Sequence, residues 1–144
     1  MSTFLARVDQ SYAVLGMAAA GLITIALIIN VSSLYTKDMN RKSGHAITLL
    51  FIALILEAAA WTVRTFGGGT ETGVFWIIVT GALLHVISAA LALCAYFEHR
   101  TIGRWPHGRR RATWGFWLNV IALLVIAAWF HLGHDPKLYK RIFE

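Results

Sequence analysis

Charge is scarce in this sequence, and acidic charge scarcer still: 7 Asp and Glu stand against 13 Lys and Arg in 144 residues. Charged residues make up 14% of the chain, where a soluble domain of ordinary composition carries roughly 25%. A single cysteine, Cys94, excludes an intramolecular disulfide and any multi-cysteine metal site. It lies within an apolar run and reads as a small hydrophobe. Neither proline, Pro106 or Pro136, interrupts a long apolar run. Also missing are the P-loop, H-E-x-x-H, G-x-S-x-G and C-x-x-C motifs, so no recognisable nucleotide-binding or catalytic signature marks the chain as an enzyme.

What the sequence has in excess is apolar residues, at 58%. A chain this short has no soluble interior large enough for them, which makes lipid part of the solvent. The net charge of +6 does not point to nucleic acid. The basic residues flank apolar stretches, no nucleic-acid motif accompanies them, and anionic lipid headgroups suit them better.

A membrane span needs about 20 mainly apolar residues. Four stretches qualify, at about 12–34, 46–63, 74–97 and 113–132. The first starts near Tyr12 and is too long for the apolar part of a signal peptide. Lipid offers the backbone no hydrogen-bond partners, so each stretch must be helical. The segments between them are short: a basic one around Thr36–His45 with Ser43 placed to cap the second helix, a glycine loop at Gly67–Gly69, and an arginine-rich one around Glu98–Ala112. The expected fold is therefore an all-α membrane protein, a single domain (1–144) of four transmembrane helices in an antiparallel bundle. Trp61, Trp76 and Trp129 fall near one membrane face and Trp105, Trp114 and Trp117 near the other, as residues with an apolar ring and a polar edge should.

Orientation follows the basic residues. Eight stand on one side, Lys37, Arg41, Lys42, Arg100, Arg104, Arg109, Arg110 and Arg111, and five on the other, Arg7, Arg64, Lys137, Lys140 and Arg141. The positive-inside rule places the basic loops in the cytoplasm and both termini outside, in a bacterial inner membrane. Both ends look amphipathic. Phe4, Leu5 and Val8 form a small apolar face. Beyond Gly133, which can end the fourth helix, Asp135 and Pro136 can start a short interfacial one bearing Leu138, Ile142 and Phe143. Those three residues, and the arginines Arg100, Arg104, Arg109, Arg110 and Arg111, are candidates for contact with lipid or a partner.

Chemistry inside the membrane is concentrated at Glu57, the only acidic residue within a span, and His85, the only histidine near a span's centre. Counted from the glycine loop, they sit four residues apart in depth, about 6 Å. Each lies on a stripe of small residues, Ala53–Glu57–Ala60 and Gly81–His85–Ser88–Ala92, which lets membrane helices approach closely. The pair reads in three ways: a hydrogen-bonded packing device, a proton or ion pathway, or a ligand site in which His85 holds haem or chlorophyll or contacts a quinone. Asn30 and Asn119 are candidates for interhelical hydrogen bonds or a polar site. Two further small stripes, Gly16–Ala20–Thr24 and Gly115–Asn119–Ala122, accompany them. His131, His134 and Asp135 form a weak metal motif at the end of the fourth span.

The sequence thus favours a non-catalytic membrane subunit of a larger complex, with a bioenergetic complex as its sharpest form. The partners would be other membrane subunits and anionic lipids. A redox anchor binding quinone or haem and a small oligomeric transporter or channel are the alternatives. The topology is directly testable. A cysteine engineered at Gly108 is expected to react with an impermeant thiol reagent only from the cytoplasmic side, and both termini to be accessible only from outside. Labelling of the two termini from different sides would contradict an even number of spans.

Overall fold

A computed structural model of the chain describes residues 15–29, 41–66, 71–102 and 106–134, all of them helical. We name the helices α1 (Leu15–Ile29), α2 (Arg41–Phe66), α3 (Glu71–Ile102) and α4 (Pro106–His134). Three contain stretches long and apolar enough to cross a membrane, Arg41–Arg64, Thr72–Glu98 and Arg109–His131. The described part of α1 is apolar but shorter, so among the described residues three helices are of spanning length and the fourth is shorter.

Each long helix outruns its apolar stretch. Hydropathy marks where the hydrocarbon ends, whereas the backbone ladder continues as long as its own bonds are made. Two expected boundaries move for this reason. Ser43 is not a cap: α2 already begins at Arg41, and Ser43 lies inside it, buried. Gly133 does not end α4, which runs through to His134. A glycine costs a helix only about 1 kcal/mol relative to alanine.

The register of the three long helices is fixed by contacts along their length. Ser88 on α3 bonds to the carbonyl of Ala46 on α2. Gly115 on α4 lies beside both Ala92 and Ile47. Lys42 pairs with Glu98, and Arg109 with Tyr96. Hence α2 and α4 run parallel, and α3 runs against both. One end of this unit carries Arg41, Lys42 and Arg109–Arg111, and we call it the arginine end. α1 packs into α2 and α4 through Leu15, Ala19, Leu22 and Ala26, which recur every three or four residues as a helix face requires; the three last meet Leu50, Leu54, Leu118 and Ala122.

Of the small stripe expected on α1, only Gly16 faces protein; Ala20 and Thr24 are exposed. A side chain at position 16 would begin 2.7 Å from the Cγ and Cδ2 atoms of Trp61, closer than carbon atoms pack. Glycine is what lets α1 lie against the indole. The outward surface is dominated by apolar side chains such as Met17, Ile28, Ile55, Leu83 and Leu124, which describes a membrane-embedded protein in contact with lipid. Five threonines show how a hydroxyl is tolerated there. Thr24, Thr48, Thr62, Thr80 and Thr113 each donate to the carbonyl four residues back at 2.8–3.0 Å, so none of these five protons is left without an acceptor.

Gly16→Ala is expected to loosen α1 from the bundle at a cost of about 1–3 kcal/mol, the range for overpacking a close contact. Trimming the ring in the double variant Gly16→Ala/Trp61→Leu should recover part of the loss, because two residues in contact do not act additively. Thermal unfolding in detergent measures both; strictly additive losses would show that the contact is not the cause.

Candidate functional site

Glu57, His85 and Asn119 lie near the midpoints of α2, α3 and α4 respectively, and are 2%, 0% and 0% exposed. Side chains on a helix lean toward its N-terminus. On α2 that tilts Glu57 toward the arginine end, and on antiparallel α3 it tilts His85 the opposite way. The two therefore lean toward each other, which closes the depth offset apparent in the sequence. His85 Nε2 lies 2.8 Å from Glu57 Oε1 with no intermediary. Small residues make room: a Cβ on Gly81 would sit 3.4 Å from the Ala53 carbonyl oxygen and 3.6 Å from Glu57 Oε1, and Ala53, Ala60 and Ala92 are fully buried.

The pair belongs to a longer chain of hydrogen bonds. His85 Nδ1 lies 2.7 Å from Asn119 Oδ1. Asn119 Nδ2 donates to Ser88 Oγ at 2.8 Å and to the Gly115 carbonyl at 2.7 Å. Ser88 Oγ donates in turn to the Ala46 carbonyl at 2.6 Å. The network touches all three long helices and ends on two backbone oxygens.

Those two carbonyls set the direction of every bond but the one between His85 and Glu57. A carbonyl only accepts, so Gly115 requires the amide nitrogen of Asn119, not its oxygen, on that side. Ser88 spends its proton on Ala46 and accepts from Asn119. The amide oxygen of Asn119 is thereby turned to His85, whose Nδ1 must carry a proton. What remains is one proton between His85 Nε2 and Glu57 Oε1. Placed on the carboxyl, it gives a neutral acid and a neutral imidazole; placed on the ring, it gives an imidazolium and a carboxylate. The pair has zero net charge either way, the condition under which ionisable groups persist in an apolar interior.

The same bonding limits the chemistry. A haem or chlorophyll ligand needs a ring nitrogen with its lone pair directed outward. Both nitrogens of His85 face protein partners, and the ring is completely enclosed, so the arrangement does not fit such a cofactor. A relay through Asn119 is closed as well, because both protons of its amide nitrogen are held by fixed acceptors and moving one on would require the high-energy imidic form. The mobile proton is confined to Glu57 and His85. A groove of about 350 Å³ between α3 and α4, lined by apolar and aromatic residues including Phe75, Ala82, Leu123 and Phe130, contains none of the network's side chains.

The remaining candidates do not join this site. Arg109 and Arg110 are exposed at the arginine end, and Arg111 is 7% exposed there. Arg100 belongs to α3. His131, exposed, and His134 belong to α4, and no cluster of three metal-ligating side chains occurs among the described residues. Asn30, Arg104, Asp135, Leu138, Ile142 and Phe143 lie outside the described residues, as does the apolar face at Phe4, Leu5 and Val8. Sequence reasoning placed Ser88 on the His85 stripe but missed its part in the network. The available signal was its i+3 spacing from His85 on an inward face.

Asn119→Leu is expected to cost about 1–3 kcal/mol, because it leaves the buried Nδ1–H of His85 without an acceptor, and Ser88→Ala about 1 kcal/mol, since Asn119 keeps its bond to Gly115. Nitrogen-15 NMR of labelled histidine, with His85 assigned through His85→Gln, should find Nδ1 protonated at neutral pH. A bare Nδ1 would reverse the deduced direction of the network.

No protein-family model, no curated protein and no solved structure matches this chain, and its functional reading therefore rests on the geometry of the network.

Proposed function

We propose that this chain is a non-catalytic, integral membrane subunit of a larger membrane complex, and that Glu57 and His85 lock its helices together. One observation carries the reading. The ionisable pair at the centre of the bundle is closed on every bonded side by protein, within a network that ends on backbone carbonyls and is 0–2% exposed. A site that binds or transports a ligand needs a polar group open to that ligand. The outward surface offers neighbouring subunits apolar area instead. In this proposal α1 forms a fourth span and the arginine end faces the cytoplasm of a bacterial inner membrane.

A second reading, a small proton-coupled transporter, draws on the proton shared by Glu57 and His85. The two readings separate at Glu57→Gln. The amide of glutamine can donate to His85 Nε2 as a protonated carboxyl does, so a locking role leaves stability within about 1 kcal/mol of wild type, while Glu57→Leu loses about 1–2 kcal/mol. Under the subunit reading, gentle extraction from the native membrane recovers the chain with other integral membrane polypeptides, and activity of that complex falls only in step with its assembly. A glutamine variant that assembles fully and yet abolishes turnover would overturn the locking role, since an amide cannot cycle a proton. A chain recovered only as its own oligomer would overturn the subunit reading.

A further inference from the structure

Among the described side chains the arginine end carries five cations, Arg41, Lys42, Arg109, Arg110 and Arg111, and one carboxylate, Glu98, which is paired with Lys42. The excess charge is organised. The guanidinium of Arg109 lies over the ring of Tyr96, 5.2 Å from its centroid, and its Nη2 donates to the Tyr96 hydroxyl at 3.1 Å. Tyr96 is half-buried on α3, while Arg109 is exposed on α4. A flexible arginine is thus held against a fixed ring, so less conformational freedom remains to be lost on binding an anion.

The hydrogen-bond directions add a second feature. The Tyr96 hydroxyl accepts from Arg109, which leaves its own proton to donate. Arg109 has further N–H groups beyond Nη2. Two kinds of donor, one neutral and one charged, are therefore adjacent, and among the described residues no acidic group pairs with Arg109, Arg110 or Arg41. Arg41 stands at the same level: Ile47 lies beside Gly115, and Arg41 and Arg109 precede these by the same number of residues on parallel helices.

We propose that Arg109 and Tyr96 form a seat for the headgroup of an anionic phospholipid, its phosphodiester bonded by both residues, with Arg41 and Arg110 supplying further positive field. The occupant follows from position and charge. The seat is at the end of membrane-spanning helices, where the headgroups of the adjoining leaflet lie. A phosphodiester has the acceptor oxygens and the negative charge that a guanidinium and a hydroxyl together satisfy.

The test uses the full chain in detergent, mixed with equal amounts of phosphatidylglycerol and phosphatidylcholine and examined by native mass spectrometry. Wild type is expected to retain phosphatidylglycerol preferentially. Arg109→Gln should reduce that preference about tenfold, as expected for losing a charge-assisted hydrogen bond. Tyr96→Phe, which changes no charge, should reduce it severalfold. Lys42→Gln removes the same charge from the same end, at a residue bonded to Glu98 and not to Tyr96, and should leave most of the preference intact. Circular dichroism checks that each variant keeps its helices. Equal losses for Lys42→Gln and Arg109→Gln, or an unaffected Tyr96→Phe, would reduce the seat to a diffuse charged patch and overturn the proposal. So would the absence of any lipid preference in wild type. Displacement of the lipid by excess inorganic phosphate would make the occupant a soluble anion and overturn its identification as lipid.

Discussion

Hydrocarbon supplies no hydrogen bonds, so every polar atom that a helix carries into the bilayer has to find its partner within the protein. This chain meets the constraint in two ways. On the outer surface of the described residues, short hydroxyls fold back onto their own helix, as Thr48, Thr62 and Thr80 do. Longer polar groups, with more donors and acceptors than one helix can satisfy locally, are gathered at the junction of three helices. Glu57, His85, Asn119 and Ser88 satisfy one another and the spare capacity of two carbonyls. Most other features of the bundle follow from accommodating that junction.

The small residues are one such consequence. Hydrogen bonds of 2.6–2.8 Å from side chains on one helix to groups on another demand that the backbones come close, and the small residues Gly81, Ala53, Ala92 and Gly115 permit it. Close approach in turn strengthens dispersion contacts, which, lacking a hydrophobic drive between helices already in lipid, provide much of their association. Register is another consequence. Sliding one helix past its neighbour by a single turn, about 5.4 Å, would leave an amide, an imidazole and a carboxyl unpaired in a medium that cannot solvate them. Apolar contacts alone would resist that slip far less, because one leucine row packs much like the next.

Some of this was legible in the sequence and some was not, for identifiable reasons. The apolar stretches and the inward stripes around Glu57 and His85 could be read because helical periodicity and small-residue spacing are properties of a single helix. The direct bond between Glu57 and His85 required adding the tilt of side chains toward each helix's N-terminus, which residue counting alone ignores. Ser88 appeared only as a small residue, since its role depends on the carbonyl of Ala46 on another helix. On α1 the small stripe misled: Ala20 and Thr24 turn outward, and the inward face is Leu15, Ala19, Leu22 and Ala26. The seating of Gly16 on Trp61 could not be read from either helix separately. Nothing in the local sequence of Tyr96 marks Arg109, thirteen residues on, as its partner.

The direction of the central network also explains why an acid and a base are used in place of two amides. Starting from the Ala46 and Gly115 carbonyls, each member must donate toward them, and the sequence of donors ends with His85 presenting Nε2 to α2. That atom accepts when bare and donates when protonated, so its partner must be able to do the complement of either. A carboxyl group can, whichever of the two carries the proton, and the net charge of the pair stays at zero throughout. A leucine at position 57 could do neither. Glutamine could match the bare ring with its amide as donor, but could match the protonated ring, after a flip, only at the cost of an isolated buried charge. The Glu57–His85 pair is thus the member of the network that keeps its shared bond and a net charge of zero whichever partner holds the proton, near the middle of the bundle where a buried charge costs most.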